Sequence, residues 1–157
     1  MTKLEINQTA PAFQLPDSHQ QIVTLDDFKG HWLVLFFYPK DNTPGCTAEA
    51  CNFRDAYQEI LALNTKIIGI NTDSSDSHQR FISRQQLPFP LLSDTSGKVS
   101  QQYGCLFKLG PIRFCKRQTF IINPEGKIAR IYRKVSPGQH AMQVIDDLKH
   151  LQQTENI

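Results

Sequence analysis

Apolar residues along this chain recur in two rhythms, and the alternation between them sets out the fold. Trp32 through Tyr38 is a near-continuous apolar run of strand length inside His31–Tyr38, the pattern of a strand covered on both faces. Lys66–Ile70 repeats it, and Leu91–Ser93 is a shorter strand candidate. Between these runs the period lengthens. Phe53, Ala56, Tyr57, Ile60 and Leu61 keep helical spacing, which predicts one long helix from Thr43 to about Leu63. A second helix, capped by Ser75 or Asp76 after Asn71-Thr72-Asp73-Ser74, reaches Gln86 and stops at Leu87-Pro88. Gly97–Tyr103 reads as a brief helix with Val99 and Tyr103 turned inward, whereas Gly104–Lys116 has no clear period.

The two ends read differently. Ala12–Leu15 and Gln21–Leu25 flank the turn Pro16-Asp17-Ser18-His19 as an N-terminal β-hairpin. Gln118–Ile122 and Ile128–Arg133 form another hairpin around Asn123-Pro124-Glu125-Gly126, where proline presets one turn position and glycine relaxes the last. From Gln139 onward Met142, Ile145, Leu148 and Leu151, with Val144 beside them, close the chain on an amphipathic helix. Strands separated by helices and followed by a hairpin and a helix predict an α/β protein, a central mixed sheet flanked by helices.

At 157 residues, 39% hydrophobic and 20% charged, the chain is expected to form one domain over 1–157 with a sizeable core. A net charge of +2 from cations spread along the sequence offers no electrostatic case for nucleic acid or a membrane surface. The start, MTKLEINQTAPAF, has neither an apolar signal core nor a cleavage site, and no apolar run approaches the length of a membrane span. The expectation is a cytoplasmic protein, in which four cysteines are reactive, metal-binding or buried rather than a disulfide framework.

One of those cysteines stands apart. Pro39 ends the central strand, Asp41 and Asn42 form a turn, and Thr43-Pro44 make an N-cap and first helical position, so Cys46 falls at the third. There the free backbone N–H groups and the positive end of the helix dipole favour thiolate over thiol. Its position after a central strand is where open α/β sheets form ligand sites. Cys51 lies five residues on, and a regular helix would hold the two Cα atoms roughly 8–9 Å apart. A disulfide needs less than about 7 Å, so any bond between them requires the first turns to unwind.

Pro39-Lys40-Asp41-Asn42-Thr43-Pro44-Gly45-Cys46 resembles the proline, threonine and cysteine signature of peroxiredoxins, and Thr47-Ala48-Glu49-Ala50-Cys51 is similar to their Q-type, or bacterioferritin comigratory protein, branch. The resemblance extends to Asp94–Tyr103 and to Arg117-Gln118-Thr119-Phe120-Ile121-Ile122, which stand where that family has a helix and an arginine-bearing strand. It implies a thioredoxin-like fold and a thiol-dependent peroxidase acting on hydrogen peroxide and organic hydroperoxides without a prosthetic group. It also implies site roles: Cys46 peroxidatic, Cys51 resolving, Thr43 and Arg117 binding and polarising the peroxide, and Pro39 shielding the thiolate. Thioredoxin or a similar dithiol is the implied reductant, and the implied state is a monomer, with a dimer left open.

The segment Gly104–Lys116 departs from the family by lacking a glycine-rich lead into the arginine strand and by carrying Cys105 and Cys115. Arg113, close by, is an alternative to Arg117, and Cys51 is also compatible with a small core residue. Glu49 reads as a residue that only favours the first helical turns, and His19, His31, His78, His140 and His150 as scattered surface or core residues. Two other functions stay in play: a cysteine-ligated metal-binding protein using Cys46, Cys51, Cys105 and Cys115, and a general disulfide oxidoreductase, although C-x-x-C is absent.

Overall fold

A computed structural model describes residues 3–155. A five-stranded sheet runs in the order β5 (Leu91–Ser93), β4 (Thr65–Asn71), β3 (Trp32–Phe37), β8 (Gln118–Ile122), β9 (Ile128–Tyr132). Strands β3, β4 and β5 are parallel, and β8 and β9 are antiparallel to their neighbours. The expected N-terminal hairpin is present as β1 (Gln14–Pro16) and β2 (Ile22–Thr24), paired through Leu15 and Val23. Among the described residues no helix is long and apolar enough to cross a membrane.

Strand β3 is buried along its whole length because both faces are covered. Trp32, Val34, Phe36 and Tyr38 pack on one face with Cys46, Ala50 and Phe53 of α1 (Pro44–Asp55), Phe81 of α3 (Ser75–Gln85), and Val144 and Leu148 of α5 (His140–Glu155). Leu33, Leu35 and Phe37 pack on the other with Phe120, Ile122 and Leu15, and with Val99 of α4 (Lys98–Gln102) and the adjoining Tyr103. The two-residue period thus assigns alternate side chains to two separate cores. Gly69 permits close approach across the sheet: a Cβ there would stand 2.7 Å from Leu91 Cδ2 and 2.8 Å from Phe36 Cζ.

Met142, expected on the apolar face of the closing helix, is 64% exposed, and Ala141, Val144, Ile145 and Leu148 are buried there instead; three further details differ from the sequence expectation. The helix predicted from Thr43 to Leu63 is interrupted at Ala56, with φ −97° and ψ 4°, and resumes as α2 (Tyr57–Leu61). Phe53, Ala56, Tyr57 and Ile60 face the same core across the break, so the apolar period carries no trace of it. The cap of α3 is Ser74, whose hydroxyl accepts from Ser77 N at 3.2 Å. Ser75 instead enters the helix and donates to Asp17 O at 3.0 Å. Finally, Gly104–Lys116 forms a ribbon of β6 (Leu106–Leu109) and β7 (Ile112–Cys115). Its turn is Gly110-Pro111, with Gly110 at φ +61°. Phe107, Leu109, Ile112 and Phe114 carry the period-two pattern, but Leu106 beside Phe107 blurs it, and the ribbon stands outside the main sheet.

Candidate active site

The central strand delivers the chain to a helix tip. Asn42 adopts a left-handed backbone (φ +64°), Thr43 is extended, and Pro44 opens α1 with a fixed φ and no N–H to satisfy. Cys46 is therefore at the third helical position, 1% exposed. Thr43 occupies the cap position, but its hydroxyl donates to Lys40 O at 3.0 Å and makes no bond to the first-turn N–H groups. Those donors remain at the positive end of the helix, beside the sulfur. The expectation that the Thr43 side chain caps α1 is corrected in this respect.

Arg117 is brought to the same point from the entry of β8, on the strand antiparallel to β3. Its Nη2 donates to Cys46 Sγ at 3.4 Å and its Nη1 to Glu49 Oε1 at 2.7 Å. Gly45 leaves room for it, since a Cβ there would lie 3.1 Å from Nη2. Burial works against the Arg117 charge, but Glu49 and Cys46 outweigh it and hold the guanidinium above its ordinary value. Arg113 goes elsewhere: it lies on the exposed first half of β7 and donates to Ser96 O at 2.8 Å.

Glu49 is the residue that sequence reasoning undervalued. Its side chain is fully buried rather than serving at the surface of a first turn. Burial pushes its carboxyl up to about 7, although the charge and hydrogen bond of Arg117 pull the other way. Oε2 has no hydrogen-bond partner among the described residues. The available signal was its spacing, three residues after Cys46 and so on the same helix face.

Cys51 sits on the continuous part of α1, half-buried, with its thiol donating to Gln85 Oε1 at 3.4 Å. Arg54 Nη1 donates to Gln85 O at 2.7 Å, so two bonds tie this stretch of α1 to the C-terminal end of α3. All four cysteines are free thiols. Cys105 and Cys115 are buried in the second core. Burial pushes the Cys105 thiol far up and that of Cys115 to about 12, opposed in Cys115 by the Ser100 hydroxyl at 3.1 Å. Such thiols are poor nucleophiles at neutral pH. Among the described residues no three His, Cys, Asp or Glu side chains gather as a metal-ligating group.

Pro39 lines a cleft of about 300 Å³ together with Lys40, Thr72, Asp73, Ile112, Arg113 and Phe114. Ile112, Arg113 and Phe114 of the β6–β7 ribbon thus share this cleft with Pro39 and Lys40, whereas Thr43, Cys46 and Arg117 do not line it. Thr72 Oγ1 donates to Arg113 O at 3.3 Å and fastens the ribbon there.

Comparison with known proteins agrees with this geometry. The AhpC/TSA family pattern matches residues 6–131. Peroxiredoxin Bcp of Bacillus subtilis is 40% identical over 154 residues, covering 94% of this chain and 97% of that one. The crystal structure of peroxidoxin BcpB from Mycobacterium tuberculosis superposes with a TM-score of 0.88 at 33% identity, covering 94% of this chain and 97% of the other. The bacterioferritin comigratory protein of Xanthomonas campestris, studied for its alkyl peroxide reduction, gives 0.82 at 34% identity over 88% and 90% of the two chains. With a thioredoxin-like fold, a cysteine at a helix tip and an arginine against its sulfur, this chain belongs to the AhpC/TSA family of peroxiredoxins, on its Bcp or peroxiredoxin Q branch.

Proposed function

We propose that the protein is a thiol-dependent peroxidase that reduces hydrogen peroxide and small organic hydroperoxides through Cys46. The observation that carries this reading is the guanidinium of Arg117 held 3.4 Å from Cys46 Sγ at the N-terminus of α1. The Cys46 thiolate attacks one peroxide oxygen; the S–O bond forms as the O–O bond breaks. The departing oxygen takes the electron pair and then a proton, leaving as water or an alcohol. Negative charge develops on that oxygen, and N–H donors fixed in a site closed to bulk water stabilise it without reorganising. Arg117 and the first-turn N–H groups supply these donors. Thr43 helps hold the peroxide, and Pro39 shields the thiolate from water.

Cys46 is left as a sulfenic acid. The Cys51 thiolate attacks that sulfur, hydroxide departs and is protonated to water, and a Cys46–Cys51 disulfide protects the site from further oxidation. The five-residue separation on α1 supports a step in which the first turns unwind and the bonds of Cys51 and Arg54 to Gln85 are released. Thioredoxin or a related dithiol then reduces the disulfide by exchange. We read the chain as one catalytic domain over 1–157, acting in the cytoplasm as a monomer, with pairing of two copies left to measurement.

The test is Cys46→Ser, with peroxide consumption followed in the presence of thioredoxin, its reductase and NADPH. Loss of turnover is expected. Turnover at the parent rate would overturn the assignment, and stoichiometric zinc in reduced, chelator-free protein would favour metal binding instead.

A further inference from the structure

Beneath the active-site loop lies a polar cluster that the reaction above does not use. Asp41, five residues before Cys46 and 5% exposed, receives four hydrogen bonds. Tyr38 Oη donates to Oδ1 at 2.6 Å, Asn71 Nδ2 to Oδ1 at 3.3 Å, Ser77 Oγ to Oδ2 at 2.8 Å, and His78 Nδ1 to Oδ2 at 2.7 Å. The Asp41 backbone N–H donates to Asp73 Oδ2 at 2.8 Å. One loop residue is thereby bound to β3's end, to β4, to the turn after it and to α3. His78 is fully buried, and its Nε2 lies 3.0 Å from Leu92 O on β5. Both ring nitrogens thus face oxygens, Asp41 Oδ2 and Leu92 O, with Tyr38 Oη 3.5 Å from Nδ1.

The pair has a direct path to the reacting sulfur. Asp41 precedes Asn42, whose left-handed backbone aims Thr43 and then the first turn of α1, so a shift of Asp41 moves the helix tip. Charge runs along the same path. The titratable groups facing the pair are Tyr38 from β3's end, Asp73 from the turn after β4 and, through Tyr38, Cys46 from α1. The Tyr38 hydroxyl is raised by burial first and then by Asp41, Asp73 and Cys46. Burial pushes Asp41 up as well, but the hydrogen bond and charge of His78, with the bonds from Tyr38 and Ser77, hold it below its ordinary value.

We infer that Asp41 and His78 are positioning residues for the peroxidase reaction: a buried hydrogen-bonded pair that fixes the loop carrying Thr43 and holds the Asp41 carboxylate fully partnered beneath the active-site loop. A carboxylate without these hydrogen-bond partners in this interior would disfavour a second negative charge nearby. This inference rests on the peroxidase reading of Cys46.

The experiment measures the second-order rate constant for oxidation of the reduced protein by hydrogen peroxide from pH 5 to 8, for the parent, His78→Gln and the double variant Asp41→Asn/His78→Gln. The double variant keeps a neutral hydrogen-bonding pair and guards against a single variant that fails to fold. His78→Gln is expected to lower the constant by between tenfold and about a hundredfold, the scale for misplacing reacting groups by about 1 Å. It should also add a titration step, from the unpaired Asp41, that the double variant lacks. If His78→Gln stays within twofold of the parent, or if single and double variants lose the same factor with the parent's profile, the pair is merely structural and the inference falls. A parent protein inert to peroxide would instead sink the peroxidase reading itself.

Discussion

Replacing Glu49 by Gln should make the protein more stable at alkaline pH, because the folded structure holds that carboxyl where its charge is expensive. Burial raises Glu49 from an ordinary 4.5 to about 7 in spite of Arg117. The folded protein therefore binds a proton that the unfolded chain has released. The stability this confers is fully present below pH 4.5 and is lost as the pH rises through 7. Carrying a carboxyl between those two values corresponds to about 3 kcal/mol, on the order of a third of the stability of an ordinary domain. Glutamine keeps an acceptor for Arg117 Nη1 but cannot ionise. Any cost of its extra N–H donors, about 1 kcal/mol, is the same at every pH. Urea unfolding of the fully reduced parent and Glu49→Gln at pH 5 and pH 8 isolates the effect, since all other titrating groups are shared. The variant should gain on the parent by about 2–3 kcal/mol between the two pH values. Parallel stability–pH curves would mean that Glu49 is ionised through its Arg117 bond at no cost, and the reasoning would fail.

Other consequences follow from the same geometry. Arg117→Lys should lower the rate of Cys46 oxidation by about a hundredfold, the cost of losing one oriented donor to a developing anion; a rate unchanged in a stopped-flow comparison would remove Arg117 from the site. Peptide mapping after one equivalent of peroxide should find Cys46 joined to Cys51, whereas a Cys105–Cys115 bond with Cys46 unpaired would exclude Cys51 as the resolving thiol. Hydrogen exchange over residues 44–51 should be faster in the oxidised protein than in the reduced one, because the disulfide cannot form on an intact α1; equal exchange would refute unwinding.

Much of this was legible in the chain because it depends on neighbours in sequence. Continuous apolar runs marked β3 and β4, and their burial on both faces is what such runs record. Thr43-Pro44 fixed the start of α1, and with it the placing of Cys46 at the third helical position, since proline is tolerated there and not deeper in a helix. The family signature followed from the same eight residues. What the sequence could not carry were the partners reached through space. Arg117 and Arg113 are both plausible from the chain, and only the pairing of β8 with β3, against a ribbon that carries Arg113 outward, separates them. Glu49 looks like an ordinary helix residue until the folded chain buries it beside Arg117 and takes its carboxyl from water. His78 lies 37 positions from Asp41, and nothing local distinguishes it from the other four histidines. Local pattern determined where a reactive cysteine would be presented at a helix tip. Tertiary packing decided which charges surround it, because desolvation and ion pairing depend on atoms that the fold brings together from distant parts of the chain.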